Sequence, residues 1–279
     1  MTTQLFPNYN IISLYAIYLK NPYYTGPIIQ IRRGNDNALL DFYGDVSGNL
    51  TSTTVSGILT TYSSWINGTI GYVVTWYDQS GNNNHVIGSN QSLQPQLAFV
   101  NSKYVVYFNG NGVGLTFINP VQTCYSIATQ IYTFSQTYHS ILCSGYNDAV
   151  GFRLYNNQVY NLTGNYSSEF LAPINSYWYL NGTKGIIGGT LQLDGSGNGI
   201  SGNNGIYNDL NWNYIIAIRD RDITKVTSNY YIEPFTSIGM PTNSGLYSQS
   251  LNGYMSELIL FNNKINDIDA NILNQQKLI

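Results

Sequence analysis

The sequence predicts an all-β sandwich of two antiparallel sheets, with one short helix near the N-terminus and another near the C-terminus. Three observations carry this reading. Tyr supplies 26 of the 279 residues and aromatic residues make up 14%; tyrosine suits a pleated surface because its ring packs while its hydroxyl stays wet. The 27 Gly and 8 Pro are scattered along the whole chain, which divides it into short segments joined by tight turns. Between these breaks run stretches of β-branched and aromatic residues, clearest at residues 72–76 and 253–261. A hydrophobic fraction of 43% is enough for a core, and sandwiches of this length are commonly one domain. With no linker and no internal repeat, a single domain over residues 1–279 is expected.

Taken in order, Ile12, Tyr15, Ala16 and Leu19 fall at helical spacing ahead of Asn21-Pro22, which predicts a short helix lying on a sheet. Gly26-Pro27 turns the chain into a strand over residues 28–33. Residues 44–67, rich in Ser, Thr and Gly, read as loops with one helical turn. The strand at 72–76 runs straight into a turn of Asp, Ser, Gly and Asn. Residues 95–100 and 103–108 are strands, followed by the tight turn Asn109-Gly110-Asn111-Gly112. Further sandwich strands are expected at 126–134, 140–143 and 151–155. The Gly/Asn-rich stretch 191–213 reads as a long loop, and 212–220 as a buried strand. After the strand at 253–261, Asn266 is the N-cap of a terminal helix, with Asp267 and Asp269 in its first turn and Ile265, Ile268 and Ile272 on one face.

Charge excludes several functions. Charged residues are 9% of the chain, against about 25% in ordinary soluble domains. The net charge of −3 offers no electrostatic footprint for nucleic acid. Arg32-Arg33 is too small a basic patch, and strand neighbours point to opposite faces. A surface of Asn, Ser, Thr, Gln and Tyr is like that of a paratope, and charge-poor proteins associate readily; an AT-rich genome would produce the same Asn, Ile and Tyr excess. No apolar run of about 18 residues is present, and residues 1–20 lack the basic start of a signal peptide. Cys124 and Cys143 are too few for a disulfide framework or a metal cluster, and whether they pair is open. His85 and His139 sit in no ligand pattern. Asp194-Gly-Ser-Gly-Asn-Gly199 is like the opening of a calcium loop, but the twelfth position is Gly205 where a bidentate Glu is needed. No metal and no cofactor is expected.

The most specific local pattern is Val73-Val-Thr-Trp-Tyr-Asp-Gln-Ser-Gly-Asn-Asn-Asn-His85. With Ala16-Ile-Tyr, Tyr24-Thr-Gly-Pro-Ile-Ile-Gln-Ile-Arg-Arg-Gly-Asn-Asp36, Gln94-Pro-Gln and Tyr107-Phe-Asn-Gly110, it resembles the catalytic domain of arabinofuranosidase B and the related LamG-like modules. Residues 253–261 and the terminal helix resemble the usual LamG-like ending. The resemblance implies a concanavalin A-like jelly roll. That enzyme family uses a nucleophilic Glu and an acid/base Asp, because one carboxylate must attack or stabilise the sugar cation while the other protonates the leaving oxygen. The stretch that matches the Glu strand is Gly151-Phe-Arg-Leu-Tyr-Asn-Asn157, with Phe152 or Arg153 at the Glu position. The stretch that matches the Asp turn is Ser237-Ile-Gly-Met-Pro-Thr-Asn243, with Pro241 or Thr242 in its place.

The expected function is therefore a non-catalytic surface or virion module of a large DNA virus or phage. It would be partnered by other subunits of an assembly and by glycans, without nucleic acid and without a membrane span. The alternative is a glycoside hydrolase with relocated carboxylates, for which Asp148, ahead of the strand at 151–155, is the best spare acid. No catalytic residue is assigned. Candidate ligand-binding residues are Trp76, Tyr77, Asp78 and Asn82 around the specific motif, and Asn204 and Tyr207 in the Gly/Asn-rich loop. For Asp78 the competing reading is an Asx-turn, its carboxylate capping backbone N–H groups.

Overall fold

The computed structural model describes residues 10–54, 56–121, 124–134, 139–144, 151–155, 158–162, 176–180, 183–187, 212–218, 235–241 and 248–276. In chain order the elements are β1 (Ile11–Ala16), β2 (Ile29–Arg33), β3 (Leu39–Gly44), β4 (Leu50–Thr53), β5 (Leu59–Thr61), α1 (Tyr62–Ile66), β6 (Gly71–Trp76), β7 (Val86–Ile87), β8 (Gln96–Val100), β9 (Lys103–Asn109) and β10 (Leu115–Val121). They continue as β11 (Ser126–Thr133), β12 (His139–Ser144), β13 (Gly151–Tyr155), β14 (Gln158–Leu162), β15 (Ser176–Leu180), β16 (Thr183–Ile187), β17 (Asn213–Ile218), β18 (Phe235–Ile238), β19 (Asn252–Phe261) and α2 (Asp267–Gln275).

Antiparallel pairing arranges these strands in two layers. The first runs β16-β15-β17-β11-β19, and the far edge of β19 is shared by β1 along Glu257 to Phe261 and by β9 along Asn252 to Met255. The second runs β3-β2-β6-β7-β10-β18-β12-β13-β14. β8 joins the layers, pairing with β9 and touching β6. Between them lies one continuous core, with Tyr15, Ile127, Ile215, Leu258 and Leu260 from the first layer against Ile29, Ile31, Val73, Trp76, Leu115 and Ile238 from the second. This is the expected all-β sandwich.

One end of the first layer is buried on its outer face as well. Leu14, Ala16, Ala128, Ile216, Ile259 and Phe261 pack beneath Ala270 and Leu273 of α2. That double burial corrects the N-terminal helix expected at residues 12–19, because the segment is β1. A strand apolar on both faces loses its period-two signature, and its hydrophobic positions then mimic helical spacing. Helix α2 forms where expected, with Asn266 Oδ1 accepting from the Asp269 N–H at 2.9 Å. Its inner face is Ile265, Ala270 and Leu273, however, while Ile268 is 71% exposed. The loops expected over 44–67 contain β4, β5 and α1, whose N-cap Thr61 accepts from Ser64 N. Cys124 and Cys143 are both buried and are not joined by a disulfide. Among the described residues no helix is long and apolar enough to cross a membrane.

At Gly253 the β11 backbone comes so close that a Cβ would collide with the Tyr132 carbonyl oxygen. Gly253→Ala should therefore lower the urea midpoint, by about 1–3 kcal/mol of stability, with no change in the far-UV spectrum of the protein that remains folded.

Candidate functional site

The motif that follows β6 closes one end of the sandwich. Trp76 is fully buried and its indole N–H donates to the Ala16 carbonyl at 3.2 Å. Asp78 is also fully buried. Its Oδ1 accepts from the N–H groups of Leu14 and Ser80 at 2.8 and 2.9 Å, and its Oδ2 from Asn84 N–H and the Ser80 hydroxyl at 3.0 and 2.8 Å. The carboxylate thus caps its own turn and ties it to β1. Gln79, equally buried, donates to the carbonyls of Ala16 and Tyr18 and accepts from Lys20 N–H. Asn82 is exposed, and its amide reaches the carbonyls of Ile11 and Ile12. Asn204 and Tyr207 lie outside the described residues, as does the calcium-like stretch at 194–199.

Tyr77 faces the other way, half-buried, and its hydroxyl donates to Asp41 Oδ1 at 2.9 Å. Burial first, and then Asp41, pushes its phenol well above the ordinary value, so it remains a proton donor. Tyr24 beside it is pushed up to about 12, by burial and then by Asp78, Tyr43 and Asp41. The His85 ring meets Tyr77 edge-on at 4.9 Å between centroids. Its Nδ1 accepts the Asp78 backbone N–H at 3.1 Å, which leaves the proton on Nε2. The roles of Gln79 and His85 were visible only as membership of the motif. Asp41 reaches Tyr77 through the β2–β3 pairing, a contact 36 positions apart in sequence.

Among the described residues, a further carboxylate, that of Glu257, is committed to the scaffold. Glu257 on β19 points away from the inner core that takes Leu258 and Leu260, and is fully buried beneath the end of α2. Its carboxylate meets Lys20 Nζ at 2.9 Å and the Tyr214 hydroxyl at 2.7 Å, and accepts a short bond from Tyr18. Arg32 and Arg33 do point apart, Arg32 to Gln94 and over Tyr72, Arg33 to Asp36 and over Trp65.

The described strands of the two stretches matched to the enzyme family's carboxylate positions share one neighbour. β13 and β18 both flank β12, with Phe152, Leu142 and Ile238 in one lateral row. Both run antiparallel to β12, so they run parallel to each other and begin at the same end of the layer. Gly151 and Ser237 both pair with Cys143. The turn after β18 is fixed by Gly239, whose φ of 78° favours glycine. A Cβ there would also press on the Phe108 ring at 2.5 Å. Two strand spacings, about 10 Å, separate β13 from β18.

These layers define the protein as a jelly-roll β-sandwich. No family model matches the chain, and no curated protein matches it. Among solved structures, an arabinofuranosidase complexed with arabinofuranosyl-α-1,2-xylobiose is similar over 98% of this chain and 64% of its own, at 11% identity and a TM-score of 0.52. A GH54 α-l-arabinofuranosidase soaked with a cyclic sulfate inhibitor is similar over the same shares, at 10% identity and a TM-score of 0.50. The chain thus spans less than two thirds of those enzymes' length. A Trypanosoma rangeli sialidase in complex with the inhibitor DANA matches 72% of this chain and 30% of its own at 12% identity, with a TM-score of 0.41. At these identities the likeness is one of fold. The expectation of a non-catalytic surface or virion module is corrected by this finding, since the sandwiches that this chain resembles are those of arabinofuranosidases.

Asp78→Asn keeps the shape but turns amide hydrogens toward N–H donors. It should cost about 3 kcal/mol or more, read as a lower urea midpoint. Burial holds the His85 imidazole below its ordinary value, and Asp78 only partly offsets this. The unfolded chain therefore takes up that proton first as pH falls. The stability tied to neutral His85 is complete above about pH 6.5 and is lost as pH falls from there through the lower folded value. His85→Gln should accordingly flatten the fall in urea midpoint between pH 7 and pH 5.

Proposed function

We propose that the chain is a glycoside hydrolase module whose acidic pair flanks the β12–β13–β18 strip. The carrying observation is the sandwich likeness to arabinofuranosidases over nearly the whole chain. Supporting it, the strands matched to the family's catalytic positions start side by side at one end of the second layer. The matched positions themselves hold no carboxylate. Two acids nevertheless stand in the chain just ahead of those strands, Asp148 three residues before Gly151 and Glu233 two before Phe235. The starts of β13 and β18 lie about 10 Å apart, the same order as glycosidase carboxylate separations, roughly 5.5 Å for retention or 6.5–9.5 Å for inversion. The Asp41–Tyr77 pair lies on the β3–β2–β6 side of the same layer, apart from β18, β12 and β13.

The purified protein should release 4-nitrophenol from 4-nitrophenyl α-l-arabinofuranoside and arabinose from arabinofuranosyl-xylobiose. Asp148→Asn and Glu233→Gln should each slow release by about 100-fold or more. The variant that loses far more on the xylobiose compound than on the nitrophenyl compound marks the acid, because nitrophenolate leaves without protonation. Absence of release by the wild type, or release that survives both substitutions, would overturn the reading.

A further inference from the structure

The outer face of the first layer changes character along its length. At one end α2 covers Ile259 and Phe261; next comes the sealed Lys20–Glu257–Tyr214 belt. Beyond the belt the layer has no helix over it among the described residues, and an aromatic cluster begins. The bulge between Gln130 and Ile131, opposite Glu257 and Met255, keeps Tyr254 on the same face as Glu257. Tyr254 is paired on one side with Tyr132 of β11 and on the other with Tyr107 of β9, so three tyrosines stand in a row across three strands. Phe134 and Trp212 complete the group. Neighbouring ring centroids lie 4.8 to 6.2 Å apart, and the Trp212 and Tyr254 rings are within 21° of parallel.

We propose that this ring cluster of Tyr107, Tyr132, Phe134, Trp212 and Tyr254 is a binding platform for a neutral polysaccharide chain, separate from the β12–β13–β18 strip. All five residues are half-buried, so each ring is held by the fold yet keeps part of its surface in water. An aromatic face is matched by the polarised C–H face of a sugar ring, while phenol tips serve the ring hydroxyls. Burial, then the neighbouring phenols of Tyr107 and Tyr132, pushes the Tyr254 phenol up; its hydroxyl stays protonated at neutral pH as a donor. Rows across three strands span about 10 Å, which is room for more than one sugar unit.

The chain's net charge of −3 weighs against the other aromatic-stacking ligand, a single-stranded nucleic acid, which needs a basic groove beside the rings. Among the residues whose side chains are described, no lysine or arginine belongs to the platform. Lys20 is sealed against Glu257, Arg32 and Arg33 sit on the second layer, and Lys103 bonds the Ser47 carbonyl. The choice of polysaccharide rests on the glycoside hydrolase reading: a platform on the opposite layer would hold the polymer whose side groups are cleaved elsewhere.

The test is electrophoretic mobility in native gels cast with and without arabinoxylan, with hydrolysis of 4-nitrophenyl α-l-arabinofuranoside by the wild type measured alongside. Arabinoxylan should retard the wild type. Trp212→Ala with Tyr254→Ala should weaken retardation at least tenfold, Tyr107→Ala alone at the rim should weaken it several-fold, and Tyr254→Phe should keep it within threefold. Phe99→Ala, an exposed ring outside the platform, should leave it unchanged; melting curves verify that each variant is folded. Retardation without hydrolysis leaves the platform standing and removes the hydrolase reading. Hydrolysis without retardation of the wild type, or retardation that survives loss of both Trp212 and Tyr254 or of Tyr107 in folded protein, overturns the platform.

Discussion

The carboxylate of Asp78 is the joint on which this sandwich turns. A fully buried anion is tolerated only when its acceptor positions are filled, and here two belong to its own turn, one to Asn84 and one to Leu14 in the middle of β1. Gln79 repeats the device one residue on by holding the carbonyls of Ala16 and Tyr18. The turn and the N-terminal strand are therefore one unit. β1 lies against β19, whose other edge carries β11, so the same contact fixes how the end of β6 sits over the first layer. The short bond from the Tyr15 hydroxyl to the Asn84 carbonyl closes the loop from inside the core.

A second polar device sits behind the first layer. Glu257 and Lys20 are sealed together with the hydroxyls of Tyr18 and Tyr214, and Lys20 Nζ also donates to the Gln276 carbonyl at 3.1 Å. The ammonium thus serves the carbonyl end of α2, where positive charge is favoured. Burying such a pair adds little net stability, but it leaves one arrangement of helix on sheet in which every group is satisfied. It also separates two surfaces on one sheet, the helix-covered apolar end and the tyrosine row.

Much of this was legible in the residues, and the failures have physical causes. Strands with a clean turn at each end, such as β6, β8, β9 and β13, stand within a residue or so of where composition and turn chemistry place them. β1 was misread because burial on both faces erases alternation. Ile268 and Ile272 were assigned inward because they share a helical stripe with Ile265, yet the sheet takes the neighbouring stripe of Ala270 and Leu273. The catalytic question was harder. Family motifs locate strands through turn glycines such as Gly239, whereas acids shifted a few residues along the chain leave no pattern. Only the shared β12 neighbour reveals that β13 and β18 begin at the same end of the layer. The aromatic platform was equally hidden, since its members come from β9, β11, β19 and two flanking positions and meet only through strand register.

β19 lies inside the first layer, paired with β1 and β9 on one side and β11 on the other. During synthesis β1 and β11 emerge long before their common neighbour, leaving two apolar strand edges facing a gap. The layer cannot close, nor the inner core dry, until residues 252–261 have left the ribosome. Such a chain waits on contacts of high sequence separation, which slows folding and lengthens exposure of pairing-competent edges. Arrested or truncated translation products of this protein would be open sheets, with β1 and β11 each offering an unpaired edge to the other's counterpart in a second molecule.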